Sequence, residues 1–376
     1  MGQDLGYCRG VFRGIHLYAS ERKSWVFHDG PPDLRILGPL RQWRPDGIIA
    51  HLFDAEFARH ALALNTPLVN TTSTILSLKA TLVEADNKQI GRLAADHFLQ
   101  RGFQHYGYYG SAWTGFSKLR ERGFRESLSR AGHTLSSCYA EYLPRPPVTT
   151  SWTGVDRQVR DWLLGLGKPA AILASNDVPA RHLVGMCGQL GLRVPLDVAV
   201  LGVDNDELEC LLSRPPLSSV VNPAEQIGYE AARQLDRLMS GKRPSRKTIL
   251  IPPSHVVVRQ STDIIAIADS DVSAAVAFIR DHAAQCVGVA DVVERLSIAR
   301  RGLERRFRKL LGRSVLDEIQ RVRIEHAKRL LVETDLPVST LAGRCGFSTP
   351  QRLAATFRRL TGCTPLAYRR RTRLLP

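Results

Sequence analysis

The sequence predicts an α/β body followed by a smaller, all-α, strongly basic domain, and three observations predict it. Short aliphatic runs alternate with amphipathic helical stretches from about residue 45 to 263. Positive charge gathers at the other end: residues 272–376 hold 21 of the 52 Lys and Arg and 9 of the 36 Asp and Glu, and so carry +12 of the formal +16. Within that basic tail a pattern of apolar and arginine residues recurs at an offset of about 50 residues.

Each element follows in chain order. At ~100–200 residues per domain, 376 residues suggest two or three domains. A hydrophobic content of 44% excludes a disordered chain. Runs such as 274–279 fall far short of the ~18–20 apolar residues a membrane span needs, and no charged segment followed by an apolar one opens the chain. The seven cysteines are scattered and never form a CxxC pair, so neither a disulfide framework nor a zinc site is expected. A reducing cytoplasm is the expected setting, with no membrane partner, no metal and no cofactor.

In the body, the stretches 47–50, 67–69, 106–109, 170–174 and 198–203 read as buried parallel strands, each followed by turn residues and a helix. One helix is expected over 89–101, with Ile90, Leu93, Ala94, His97 and Phe98 at helical spacing before Gly102. Such alternation predicts right-handed crossovers, and ligand sites at the carboxyl ends of the strands. The loops there hold Asp86-Asn87, Ser175-Asn176-Asp177 and Asp204-Asn205-Asp206. Any of these can cap a helix. With Arg120 and Trp152 they also form a set able to hold a polyol: carboxylates and amides meet hydroxyls, the guanidinium forks between two, and the indole covers an apolar sugar face. There is no P-loop, GxGxxG or HExxH motif, and no enzyme is expected.

The stretches 91–110 and 120–124, Val194-Pro-Leu-Asp-Val-Ala-Val-Leu-Gly-Val-Asp-Asn-Asp206, 215–222, 228–235 and 259–263 resemble the periplasmic-binding-protein-like effector domain of LacI/GalR-type repressors. The resemblance implies two lobes, three crossings near Gln104, Val221 and Ile251, and a sugar held in the cleft by Asp86, Arg120, Trp152, Asn176 and Asp204, with Arg9 a weaker match. The family opens with an apolar first strand, whereas here only Met1-Gly-Gln precedes the loop that follows it. That strand is expected to be missing, with the true start upstream.

Residues 264–271 read as a linker, and 272–376 as a helical domain. Leu303, Phe307, Arg308, Leu310 and Gly312 recur as Leu353, Phe357, Arg358, Leu360 and Gly362, and 292–298 recurs as 341–347. Each copy reads as helix, tight turn, helix, with Gly346 in the second turn and Thr349-Pro350 as a cap. Leu303, Phe307 and Leu310 are expected to be buried, with Arg301, Arg305 and Arg308 on another face, able to reach base edges or phosphates. From charge alone a solvated basic face or an anionic membrane surface would serve as well.

This tail resembles the AraC/XylS DNA-binding domain, carried most clearly by Ala327-Lys-Arg-Leu-Leu331, Leu341-Ala342, Gly346-Phe347, Phe357-Arg358, Gly362 and 364–369. The resemblance places base reading on Arg301, Glu304 and Arg305, and on Gln351, Arg352 and Ala355. Ala355 departs from the polar residue common there, which shifts the second helix toward backbone contacts through Arg352, Arg358 and Arg359. An effector domain (1–263) ahead of a DNA reader (272–376) is an order shared with xylose-operon regulators. The expected function is a cytoplasmic transcription regulator, an activator controlled by a small sugar such as xylose. It would bind double-stranded operator DNA, pair as a homodimer through the effector domain, and have RNA polymerase as a further partner. A sugar-binding protein of transport or chemotaxis and a carbohydrate-processing enzyme are the alternative readings.

Overall fold

The chain folds as two parallel-stranded lobes followed by a helical domain, in a computed structural model that describes residues 6–20, 25–30, 33–139, 152–264, 266 and 269–372. The first lobe contains α1 (Gly6–Ser20), α2 (Leu37–Trp43), β1 (Ile48–Ala50), α3 (Ala55–Leu62), β2 (Leu68–Asn70) and β3 (Thr81–Ala85). Next come α4 (Asn87–Leu99), β4 (His105–Gly110), α5 (Gly115–Arg130), β5 (Leu135–Tyr139), α6 (Trp152–Gly165), β6 (Ala170–Ala174), α7 (Asp177–Gln189), β7 (Val198–Val203), α8 (Glu207–Leu212) and β8 (Ser218–Val220). The chain then returns through α9 (Ala224–Met239) and β9 (Thr248–Ile251) and leaves by β10 (Val256–Val257).

The strands form two sheets, ordered β1-β2-β3-β9 and β10-β8-β7-β6-β4-β5, all parallel except β10. The central strands β6 and β7 are buried along their whole length, which is why they read as unbroken aliphatic runs. Their side chains alternate between two cores: Ala171, Leu173, Ala199 and Leu201 pack toward α4 and α5, whereas Ile172, Ala174, Val198 and Val200 pack toward α6 and α7. On the first lobe α1 and α9 pack together beside β1, β2 and β3. Gly14 and Gly228 allow this approach, since a Cβ on either would lie 1.9 Å from a backbone oxygen of the other helix. The chain passes between the sheets from β3 to β4, from β8 to β9 and from β9 to β10, at the three expected crossings. In the first sheet β2 pairs directly with β3.

The helical domain comprises α10 (Ser270–His282), α11 (Val289–Leu296), α12 (Arg300–Leu311), α13 (Val315–Glu333), α14 (Val338–Arg344), α15 (Pro350–Thr361) and α16 (Pro365–Thr372). It has two small cores, one around Leu303 and Phe307 and one around Leu353 and Phe357, each buttressed by one end of the 19-residue α13. The internal repeat is geometric as well as chemical. Ser297 and Gly346 both take the left-handed conformation in their turns, with φ of 52° and 75°, and Gly312 and Gly362 both close their helices with φ of 65° and 76°. One expectation is corrected: Leu310 is 38% exposed, and Leu311 packs into the first core in its place. The stripe therefore runs at spacings of four, and the repeat counterpart Leu360 is likewise 43% exposed.

Candidate effector cleft and DNA-reading face

Three of the expected sugar residues, Arg120, Asn176 and Asp204, converge where β3, β6, β7 and β8 end. Arg120, 3% exposed on α5, donates from Nε to Asn87 Oδ1 at 2.9 Å, donates from Nη1 to the Ser175 carbonyl, and has Nη2 3.7 Å from Asp204 Oδ1. Its guanidinium also lies over the Phe116 ring, 5.1 Å from the centroid. Asp204 accepts from Asn176 Nδ2 at 2.7 Å on one oxygen and from Asn222 Nδ2 at 2.8 Å on the other. Asp204 has φ of +110° and Asn205 of +53°, so the backbone itself is held in a disfavoured conformation to aim this carboxylate.

Other side chains extend the network. Glu84, buried on β3, accepts from Asn87 Nδ2 at 3.0 Å and from the Ser73 amide at 3.1 Å. Burial raises its pKa, with hydrogen bonds from Ser73 and the Arg120 charge opposing. Asp177 accepts from Ser219 Oγ at 2.6 Å and from the Asp206 amide at 2.8 Å. Burial, reinforced by the neighbouring Asp204 charge, pushes its pKa well above the ordinary carboxylate value. Tyr7 of α1 donates to the Thr71 carbonyl at 2.6 Å. Two buried atoms at this junction, Thr114 Oγ1 and Asn222 Oδ1, have no hydrogen-bond partner.

Two expected residues sit at the edge of this set. Asp86 caps α4, accepting from the Gln89 amide at 3.0 Å, and Arg9 reaches from α1 to Asp206 at 3.3 Å, an ion pair between the lobes. The side chain of Trp152 lies outside the described residues, although α6 opens at that position. Glu84 and Asn222 were not singled out from sequence, whereas Asn87 stood in the loop set beside Asp86. Asn87 and Asn222 follow strands and obey the same loop rule, whereas Glu84 lies inside a strand, where a lone carboxylate carries no positional signal.

On the helical domain, Arg301, Arg305 and Arg308 of α12 are exposed and make no side-chain hydrogen bond or ion pair among the described residues. Glu304 is half-buried, with Oε2 accepting from the Val315 amide at 3.4 Å, so it helps seat α13. On α15, Gln351, Arg352 and Arg358 are exposed, and Ala355 occupies the place equivalent to Arg305. Arg352 donates to Ser348 Oγ at 3.4 Å, and Arg359 donates to Gln320 of α13.

The two domains meet through a buried charge cluster. Glu318, 0% exposed on α13, accepts from Arg313 Nε at 2.5 Å and from Arg321 Nη2 at 2.6 Å. Both arginines continue to Gln100 at the end of α4, Arg313 to its carbonyl at 3.0 Å and Arg321 to its Oε1 at 2.5 Å. Burial would raise the Glu318 pKa, but Arg321 and Arg313 outweigh it and hold it below the ordinary value. Nearby, Tyr368 of α16 donates to the Ser254 carbonyl at 2.5 Å.

The periplasmic binding protein-like domain family matches residues 95–262 and the helix-turn-helix domain family residues 292–371. The xylose operon regulatory protein of Haemophilus influenzae is 30% identical over 376 residues, covering 96% of this chain and 95% of that protein. The chain belongs to the xylose operon regulatory protein family. The Escherichia coli K12 member is 29% identical over 96% of this chain and 94% of that protein. A solved structure described as that of the xylose-binding transcription activator xylR covers 98% of this chain and 96% of that one, at 28% identity and a TM-score of 0.61. A cellobiose complex of the regulator CelR, 23% identical with a TM-score of 0.56, covers 68% of this chain and 79% of that one, and shares the fold of the effector domain. The chain is thus a sugar-responsive transcription regulator with an α/β effector domain ahead of a bipartite helix-turn-helix reader. Its curated relatives in this family are regulators rather than enzymes, and among the described residues no helix is long and apolar enough to cross a membrane.

Proposed function

We propose that the chain is a xylose-responsive activator whose sugar is held by Asp86, Arg120, Trp152, Asn176 and Asp204, with Arg9 bridging the lobes over it. The observation that carries this reading is the convergence of Arg120, Asn176 and Asn222 on Asp204 beside unpartnered buried hydroxyl and amide oxygens. Such groups accept and donate to adjacent hydroxyls of a pyranose, and the pairing among them explains discrimination: a sugar lacking one hydroxyl leaves a buried group unsatisfied. Xylose is favoured because the two full-length relatives compared above carry it in their names. The cleft acts by binding alone, without bond making or breaking.

The same helix that reaches the cleft reaches the DNA domain. Asn87 at the start of α4 bonds Arg120, and Gln100 just past its end bonds Arg313 and Arg321, about 20 Å apart for 13 residues at ~1.5 Å each. Movement of α4 on cleft closure therefore repositions α13, which seats both recognition helices. The expected coupling is ~1–3 kcal/mol and acts reciprocally on sugar and operator affinity. Base reading falls to Arg301 and Arg305 with Gln351, and backbone contacts to Arg308, Arg352, Arg358 and Arg359; Glu304 divides its role between reading and seating α13. Homodimerisation through the effector domain is supported by Leu208, Leu211 and Leu212, which are 62%, 58% and 66% exposed on α8 beside the 37% exposed Val178 of α7. RNA polymerase is the further partner of an activator, the word attached to the solved relative. Calorimetric titration with pentoses and hexoses, repeated as operator binding with and without the best of them, tests the reading. Saturable binding of xylose that changes operator affinity supports it, and no saturable heat with any pentose or hexose overturns it.

A further inference from the structure

A second cavity, remote from the sugar residues, lies between the domains beside the Glu318 cluster, with a volume of about 450 Å³. This is ample for a small metabolite. Its walls come from both sides of the junction: His97, Arg101 and His255 from the effector domain, and Arg280, Arg321 and Arg329 from the helical domain. The lining is cationic and only partly paired: Arg280 is bonded to Asp263 at 2.6 Å and Arg321 to Glu318 at 2.6 Å, whereas Arg329 has no carboxylate within ion-pair distance among the described residues. Arg101 is 8% exposed, and its guanidinium donates to two carbonyls, Thr262 at 3.1 Å and His97 at 2.9 Å, with no carboxylate within ion-pair distance among the described residues. His255 is 5% exposed, and its Nε2 is buried without a hydrogen-bond partner, its nearest carboxylate oxygen being Glu333 Oε1 at 3.8 Å.

Of the acidic groups at the cavity, Glu325 is engaged by Lys328 at 2.8 Å, and Asp96 and Asp281 are exposed to solvent. Burial first, and then the charges of Arg101, Arg280 and Arg321, hold the His97 imidazole well below its ordinary pKa. Val256, Val276 and Val322 add apolar surface to the lining.

We infer that this cavity is a binding site for a small phosphorylated metabolite, its phosphoryl group taken by Arg101, His255, Arg280 and Arg329 and its carbon frame by the valines. Guanidinium forks match phosphoryl oxygens, and a dianion would supply Arg101 and Arg329, which come from different domains, with the counter-charge that neither has among the described residues. A ligand there ties the effector domain to α10 and α13, so it would act on operator affinity independently of the sugar. This inference does not rest on the identity of the sugar.

The test uses the full-length protein, titrated calorimetrically with inorganic phosphate, a pentose phosphate, a hexose phosphate and a mononucleotide at constant ionic strength, with chloride as the control anion. One phosphorylated compound should bind saturably in the micromolar to millimolar range and at least tenfold more tightly than inorganic phosphate. Arg280→Ala, at a side chain still 24% exposed, and Arg101→Lys should each weaken that binding at least tenfold while leaving the xylose titration unchanged. Failure of every phosphorylated compound to bind saturably, or equal binding by both variants, overturns the inference. If Arg101→Lys fails to fold, Arg280→Ala alone decides it.

Discussion

Glu318→Gln removes one negative charge from the centre of the interdomain cluster and leaves two guanidiniums, each 19% exposed, facing a neutral amide. The carboxylate accepts bonds of 2.5 Å from Arg313 and of 2.6 and 3.0 Å from Arg321. A glutamine oxygen can keep one of these partners, but its NH2 then points donor to donor at the other. Breaking a buried ion pair costs ~3–5 kcal/mol, and the partial solvation of both arginines reduces the expected loss to about 2–4 kcal/mol. All five tryptophans lie in residues 1–263, so tryptophan fluorescence follows the effector domain while helical circular dichroism also follows the DNA domain. In urea, the dichroism transition should shift by that amount with little change in fluorescence, and the sugar-induced change in operator affinity should shrink toward unity. The pH dependence has a defined sign: because the folded pKa lies below the unfolded one, the contribution is present above ~pH 4.3 and is lost as pH falls through the folded value. The gap between wild type and variant should therefore close in acid. A shift under about 0.5 kcal/mol at neutral pH, or full retention of coupling, would refute the reasoning.

Asp204→Asn should lower sugar affinity at least tenfold, because the carboxylate is the shared acceptor for Asn176 and Asn222, while operator affinity without sugar stays the same; an unaltered sugar titration removes Asp204 from the pocket. Arg305→Ala should weaken operator binding roughly 5- to 150-fold and relax one base position, whereas uniform loss across sequences with a salt slope smaller by about one would assign it to phosphate. Leu211→Glu on α8 should convert dimer to monomer in sedimentation with the helical dichroism unchanged, and an intact dimer would place the interface elsewhere.

Much of the fold was legible because burial imposes periodicity. The strands β6 and β7 are buried along both faces and coincide with the aliphatic stretches 170–174 and 198–203. Strands such as β3 and β9 escaped, since Glu84 interrupts one and the other alternates between half-buried and exposed positions. In the helical domain the repeat exposed both recognition helices, yet it misassigned Leu310. Spacings of three and four are equally compatible with a helical stripe, and the packing partner chooses between Leu310 and Leu311. The cleft was legible as far as polar residues follow strands. Asn222 joins it because β8 pairs with β7 and so brings its loop beside Asp204, and Glu84 because it faces Asn87 and Ser73 from inside a strand, where a carboxylate leaves no local pattern.

By itself the sequence determined the order of the parts and their chemistry: an α/β effector body, a basic reader with two copies of one helix pair, and cations free to meet phosphate. Those properties follow from local periodicity, turn residues and the placement of charge, which each segment carries alone. The tertiary structure decided which arginines are structural and which are free. Arg306, Arg313 and Arg321 are spent on Asp271, Glu318 and Gln100, whereas Arg301, Arg305 and Arg308 stay exposed, and nothing in their composition separates the two groups. It also placed Gln100 against α13 and opened the cationic cavity between the domains, because contacts between segments more than 200 residues apart depend on how the domains pack and not on any local preference.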